Sequence, residues 1–334
     1  MPLFISSSES RYWVLVALLA IAVWALGVGS YDLYLRKQGH ESTVVDSQQL
    51  WAQERSRVYG PKALVFAGAS RTLYGIDLTT VGSMLPDTKP VMLALNGRYP
   101  IATLRALAED EQFIGTLMLD VDARGLSRYN WDAQLDANDY FKEEWTPNWA
   151  IHRWLLNCLQ ADWVVLNPRL GPLTLAKSWI TDAPLPFVGH DSLSAHREGY
   201  LDFQQANTAG LAEMFRVDLQ AELERHPPEP PAKWLAALSP VVNWVKRIQA
   251  RNGRVIFIVP PVSGHQATYV EAAYPRALYW QQFIDEYELM GWHYQDAQDL
   301  FDEITLPDSS HVDASQKPVY TERLINELRH KGLL

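Results

Sequence analysis

The longest uninterrupted apolar run lies near the start of the chain. Tyr12 to Tyr31, YWVLVALLAIAVWALGVGSY, is twenty residues without a charge, bounded by Arg11 and Asp32. As a helix rising about 1.5 Å per residue it spans roughly 30 Å, the thickness of a bilayer's hydrocarbon core. Tyr12, Trp13 and Tyr31 sit at its ends, where amphipathic rings prefer the headgroup level. A cleaved signal peptide would have a shorter apolar core followed by a small-x-small site. Val28-Gly29-Ser30 is a poor version of that site, so residues 1–37 read as an uncleaved transmembrane anchor. Arg11 on one side and Arg36 and Lys37 on the other leave almost no positive-inside bias, so charge does not set the orientation.

Beyond the anchor the pattern changes period. Residues 38–61 are polar and helix-prone, a stalk or first helix. Short continuous apolar runs then read as buried strands: Ala63–Ala67 ended by Gly68, Val91–Leu95 ended by Asn96-Gly97, Gly115–Asp120, Asp162–Asn167, Arg254–Val259 and Trp292–Gln295. Between and after them the pattern predicts helices at Ile101–Gln112, at Pro240–Arg251 with Asn252-Gly253 as its C-cap, and within Thr268–Met290, where Pro275 starts or kinks part of it. A closing helix is expected at Pro318–Lys331. Alternating strands and helices predict an α/β fold over 62–334, a three-layer sandwich around a mostly parallel sheet. Residues 124–240 depart from the alternation. They hold Trp131, Trp145, Trp149, Trp154, Trp163, Trp179 and Trp234, the HPPEPP segment at 226–231 and a long helical run near 197–225. This stretch reads as a helical insertion over the sheet, with Trp145, Trp149 and Trp154 as core anchors and a sugar-binding platform as the alternative.

Composition narrows the function classes. The 334 residues carry a net charge of −10, and a pI of about 5.4 argues against a general nucleic-acid binder, which needs a basic surface. With 48% apolar and 20% charged residues the chain is neither disordered nor polytopic. The one cysteine, Cys158, excludes an internal disulfide and a cysteine-rich zinc site, and within RWLLNC it reads as a small buried apolar residue. The nine histidines show neither HExxH nor His-x-His spacing, and the glycine-rich nucleotide motifs are absent, so neither a metal nor another cofactor is expected.

Ligands of open parallel sheets bind beyond the carboxyl ends of the strands, and three segments there carry suitable chemistry. Gly68-Ala69-Ser70-Arg71 follows the first strand and places a serine on a small-residue turn entering a helix. Gly97, after the second strand, lets a backbone N–H approach an oxyanion unobstructed. Asp308-Ser309-Ser310-His311 follows the last strand; a carboxylate three residues before an imidazole can hold one ring nitrogen and leave the other for a serine. Each segment also has a plain reading: a serine that starts a helix, an Asn-Gly turn, an Asp that caps a loop with a surface histidine nearby.

In their order along the chain, these segments resemble the SGNH (GDSL-like) hydrolase superfamily, particularly its bacterial, membrane-anchored, envelope-facing members. LVFAGASRTLYGIDL (64–78) is similar to the first block, with Ser70 in the nucleophile's place. MLALNGRYP (92–100) is similar to the second, with Gly97 as the oxyanion-hole glycine. LPDSSHVDASQKPVYTERL (306–324) is similar to the last, with Asp308 and His311 as triad partners. The third block normally supplies an oxyanion-hole asparagine from Gly-x-Asn-Asp, and LMLDVDARG (117–125) has none; Arg71 and Asn96 are the groups at hand to fill the hole. The glycine that usually follows the histidine in the anchored relatives is replaced around Ser315-Gln316-Lys317. The resemblance implies a flavodoxin-like sheet and a serine esterase or O-acyltransferase acting on acyl esters of cell-envelope glycans. It implies an inner-membrane anchor through residues 12–31, a periplasmic catalytic domain, and a multi-span membrane acyltransferase or synthase as partner. A catalytically silent descendant that binds glycan or assembles such a complex is the competing expectation.

Overall fold

The computed structural model describes residues 7–181, 190–204 and 206–334; the parts of the expected anchor and insertion that fall on 1–6, 182–189 and 205 lie outside the described residues. The chain forms two compact units, one from residues 1–45 with 156–189 and one from 46–155 with 190–334.

The larger unit is α/β. Its strands are β1 (Ala63–Ala67), β2 (Lys89–Met92), β3 (Thr116–Asp120), β4 (Asp191–Leu193), β5 (Gly199–Leu201), β6 (Arg254–Val259) and β7 (Met290–His293). Five of them form one parallel sheet in the order β2-β1-β3-β6-β7, while β4 and β5 make a small antiparallel hairpin. Among the sheet's own strands this is the order 2-1-3-4-5 of flavodoxin-like doubly wound folds. Register is continuous across the centre: Val65 lies beside Val91 on one side and Leu117 on the other, and Leu117 beside Val255. β1 is buried along its whole length, as a strand covered on both faces must be.

Because β1→β2 and β2→β3 run in opposite directions along the sheet, right-handed crossovers place their helices on opposite faces. Ile101–Glu109 packs with Ser239–Gln249 on one face; Ser70–Gly75 and Leu78–Met84 pack with Lys317–His330 on the other. Several tryptophans anchor this unit. Trp51 donates from Nε1 to the Leu93 carbonyl at 2.9 Å, and Trp234 to Ser127 Oγ at 3.2 Å. The kink expected at Pro275 is a complete break between helices Gly264–Ala273 and Trp280–Glu286.

The helix Pro147–Gln160 corrects two sequence expectations. Trp149, Ile151, Trp154 and Leu155 are exposed and Arg153 and Asn157 are buried, so Trp149 and Trp154 are not core anchors. Cys158, on the same helix, is exposed rather than buried. Its spacing is helical, but the face turned inward is the polar one.

The smaller unit is built on the N-terminal helix Ser7–Lys37, whose stretch Arg11–Lys37 is long and apolar enough to cross a membrane. The run Asp162–Asn167, expected as a strand, contains a short 3₁₀ helix, Val164–Leu166. Its apolar residues serve packing and not a sheet ladder: Val164 and Leu170 bury Leu35, with Tyr31 and Val165 alongside. Asp32 accepts from the Val165 N–H at 3.0 Å and from Arg36 Nε at 2.7 Å, while the Arg36 guanidinium donates to the Asp162 carbonyl. Ser42 Oγ reaches the Ala161 carbonyl at 2.6 Å.

Candidate active site

β1 and β3 are neighbours although β2 lies between them in sequence, and the crevice at their carboxyl ends is where such sheets bind ligands. Ser70 opens the helix Ser70–Gly75 immediately beyond β1. The turn leading to it is tight: a Cβ on Gly68 would lie 2.6 Å from Thr72 Oγ1 and 2.8 Å from Asp120 Cβ. Thr72 Oγ1 donates to Asp120 Oδ2 at 2.8 Å, tying this turn to the end of β3.

Asp308 and His311 reach Ser70 from the loop before the last helix. Asp308 Oδ1 accepts the backbone N–H groups of Ser310 at 3.0 Å and His311 at 2.8 Å. Ser309 between them adopts φ +73, a left-handed conformation that costs a non-glycine residue about 1 kcal/mol. The loop is thereby curled so that His311 Nδ1 lies 2.7 Å from Asp308 Oδ2. His311 Nε2 lies 2.7 Å from Ser70 Oγ. A carboxylate only accepts, so the proton of the neutral ring belongs on Nδ1, and Nε2 accepts the serine hydroxyl. Tyr74 stands edge-on to the imidazole at 6.1 Å and Phe215 packs on it at 5.6 Å. Burial opposes ionisation of Asp308, but His311 and the two backbone N–H donors outweigh it and hold the carboxyl below its ordinary value.

Arg71 follows the serine and is largely buried, its guanidinium 3.3 Å from Asp120 Oδ1 and 3.5 Å from Asp122 Oδ2. The two carboxyls respond differently to this shared cation. Burial keeps Asp120 above its usual range despite Arg71 and Thr72. Asp122, equally removed from water, is lowered because Arg124 acts on it as well as Arg71, with the Gly125 N–H donating. Arg124 extends the chain of polar contacts, donating to the Tyr99 hydroxyl at 2.7 Å and to Glu222 Oε2 at 2.9 Å.

Ser70, Arg71, Tyr99, Asp122, Arg124, Glu222 and His311 line one cavity of about 330 Å³. Its apolar wall includes Phe215, Leu219, Val262 and Val270, and its polar wall Arg71, Arg124, Glu222, Arg276 and His293. Burial, reinforced by the charge of Arg276, lowers the His293 pKa to about 3, so this imidazole is neutral at physiological pH.

Of the candidate residues, Ser70, Asp308 and His311 form one hydrogen-bonded chain, and Ser70, Arg71, Gly97 and His311 line the cavity. Gly97 has φ +69, and an added Cβ there would meet open space, so backbone conformation and not crowding demands the glycine. Asn96 does not line this cavity; it is exposed and borders a separate recess with Asp46, Ser47, Gln48 and Trp51. Sequence reasoning missed the polar chain through Tyr99, Asp122, Arg124 and Glu222. The Asp120-x-Asp122-x-Arg124 spacing beyond a strand was its only local trace; nothing local points to Glu222, Phe215 or His293.

No family model matches the chain. No curated protein matches it either. Among solved structures, the crystal structure of TesA is similar at 10% sequence identity over 81% of this chain and 99% of that chain, with a TM-score of 0.37. A likeness of that degree leaves the strand order and the site geometry as the grounds for the fold.

Proposed function

We propose that the chain is a membrane-anchored serine esterase or O-acyltransferase of SGNH type, acting on acyl esters of cell-envelope glycans. The observation that carries this reading is the chain Asp308–His311–Ser70, joined by two 2.7 Å contacts and opening onto the cavity.

In the proposed reaction, Ser70 Oγ attacks an ester carbonyl as His311 Nε2 takes the hydroxyl proton, and Asp308 stabilises the imidazolium. Collapse of the tetrahedral intermediate breaks the ester C–O bond. The leaving alcohol takes the proton from His311, and an acyl group remains on Ser70. Water or a sugar hydroxyl then attacks the acyl-enzyme, giving its proton to His311; the acyl C–Oγ bond breaks, His311 returns the proton to Ser70 Oγ, and the acid or acylated sugar leaves. The oxyanion would be held by the N–H of Ser70, at a helix start where backbone donors lack intrahelical partners, and by the N–H of Gly97. Arg71 is the donor we assign to the place of the absent third-block asparagine, since its guanidinium is held at the cavity by two carboxylates. One such donor is worth about 3 kcal/mol in the transition state.

The apolar helix supports membrane anchoring; the inner membrane and a periplasmic α/β unit are carried only by the resemblance to anchored envelope members. A multi-span membrane acyltransferase is the partner that would supply acyl groups there. The mixed aromatic, apolar and charged lining suits an acylated sugar better than a free fatty chain.

A second reading, a catalytically silent glycan-binding or assembly protein, draws on one feature: the end of β3 presents Asp122, Ala123 and Arg124 to the cavity and no asparagine. Incubation of the full chain with an acetyl-ester donor, with and without glycan oligomers, separates the alternatives by mass spectrometry. A +42 Da adduct on Ser70 and release of acetate mark an esterase, and acetylated oligomer marks a transferase. Turnover equal in wild type and Ser70→Ala, or none in either, would sink the catalytic reading.

A further inference from the structure

We infer that the segment 159–181 of the smaller unit is a membrane-interface element, lying against the headgroup layer of the bilayer that the N-terminal helix crosses. The inference rests on the anchor reading above.

Position is the first argument. The uncharged run ends at Tyr31, which sets the edge of the hydrocarbon core, and Leu35 lies one helical turn beyond, about 6 Å further along the axis. The headgroup region on each side is of that same thickness, roughly 5–8 Å. Val164 and Leu170 bury Leu35, Val165 packs alongside, and its N–H is bonded to Asp32. With Arg36 donating to the Asp162 carbonyl, the segment is fastened to the end of the span. Whatever is fastened at that level sits at headgroup depth.

The second argument is what the segment leaves uncovered. Leu159, Trp163, Leu166, Trp179 and Ile180 are all exposed, Ile180 to 83%. Single exposed apolar residues are ordinary, but a run of them including two tryptophans, beside a membrane span, is the composition of an interfacial segment. Trp179 and Ile180 end the helix Pro172–Thr181, next to Lys177.

The third argument is charge. In a chain of net charge −10, residues 159–181 carry Arg169 and Lys177 against one acid, Asp162. A locally basic, tryptophan-bearing segment on an acidic protein fits an anionic lipid surface, which attracts basic side chains lying near it.

The test uses the full chain in vesicles of phosphatidylcholine, with and without phosphatidylglycerol. In a Cys158→Ser background, a nitroxide is placed at Ile180→Cys and, separately, at Leu19→Cys within the span. Power saturation then compares accessibility to oxygen, which partitions into lipid, with accessibility to a water-soluble nickel chelate. The expected result is oxygen exceeding nickel at both positions. Adding Lys177→Glu should reduce the ratio at 180 in phosphatidylglycerol vesicles and leave that at 19 unchanged. A label at 180 open to nickel while that at 19 is lipid-exposed overturns the inference and leaves the anchor standing; the apolar face then belongs to a protein partner. Nickel access at both positions overturns the anchor reading and this inference with it.

Discussion

Ser70, His311 and Asp308 differ in how much each is asked to do. In the proposed reaction Ser70→Ala removes the attacking atom, so the acyl adduct should vanish and turnover should fall by at least about a thousandfold. The side chain lost is small and sits at a helix start, so circular dichroism and membrane localisation should be unchanged. Asp308→Asn should lower kcat by roughly ten thousandfold, since an amide donor facing Nδ1 favours the wrong imidazole tautomer. The same aspartate contributes to acid stability. Its folded-state pKa lies below that of the unfolded chain, so across the ordinary carboxylate range near ~4 the unfolded state binds more protons. Its contribution is complete above that range and fades as pH falls through the lower, folded value. Urea midpoints measured from neutral to acid pH should therefore fall less steeply in Asp308→Asn than in wild type. Ser70 and the Asp-x-x-His loop were legible because their relation is local, two residues on one loop and one at a strand end. The distance between Ser70 and His311, 241 residues apart, was not.

The turn from β1 into its helix is the element on which the site depends. Gly68 has no room for a methyl group: Thr72 and Asp120, which a Cβ would strike, are bonded to each other across the turn. Gly68→Ala should cost about 1–3 kcal/mol by forcing backbone shifts. It should cost more in kcat/KM than that loss of stability alone would produce, because Ser70 moves with the turn. Urea denaturation and adduct kinetics on the same preparation check both parts. Strand runs with a fully buried core, such as Arg254–Val259, were readable to the residue because burial on both faces leaves a continuous apolar signature. Asp162–Asn167 carried that signature for another reason, packing on Leu35, and periodicity alone does not distinguish the two. The helix Pro147–Gln160 shows the converse: its period was right and its inward face was not, because Arg153 and Asn157 take the interior.

For the whole molecule, the proposed anchor admits either orientation on charge alone, since the basic residues flanking the apolar helix nearly balance. If residues 38–334 are periplasmic, alkaline phosphatase fused after Leu334 should be active and a reporter that works only in the cytoplasm inactive. The reverse pair of results would place the α/β unit in the cytoplasm and remove envelope glycans as proposed substrates.

The sequence by itself determined the membrane-length helix, the parallel α/β class and the three strand-end segments, because each is written in runs of neighbouring residues whose burial or turn chemistry is local. Tertiary structure alone decided the strand order that makes β1 and β3 neighbours, and with it the meeting of Ser70 and His311. It also decided that Arg71 lies between Asp120 and Asp122, that Asn96 borders a different recess, and that Glu222, Phe215 and His293 belong to the cavity wall. The physical reason is sequence separation. A hydrogen bond or an apolar contact between residues a hundred or more positions apart leaves no period and no spacing in the chain, and exists only once the sheet has placed both ends.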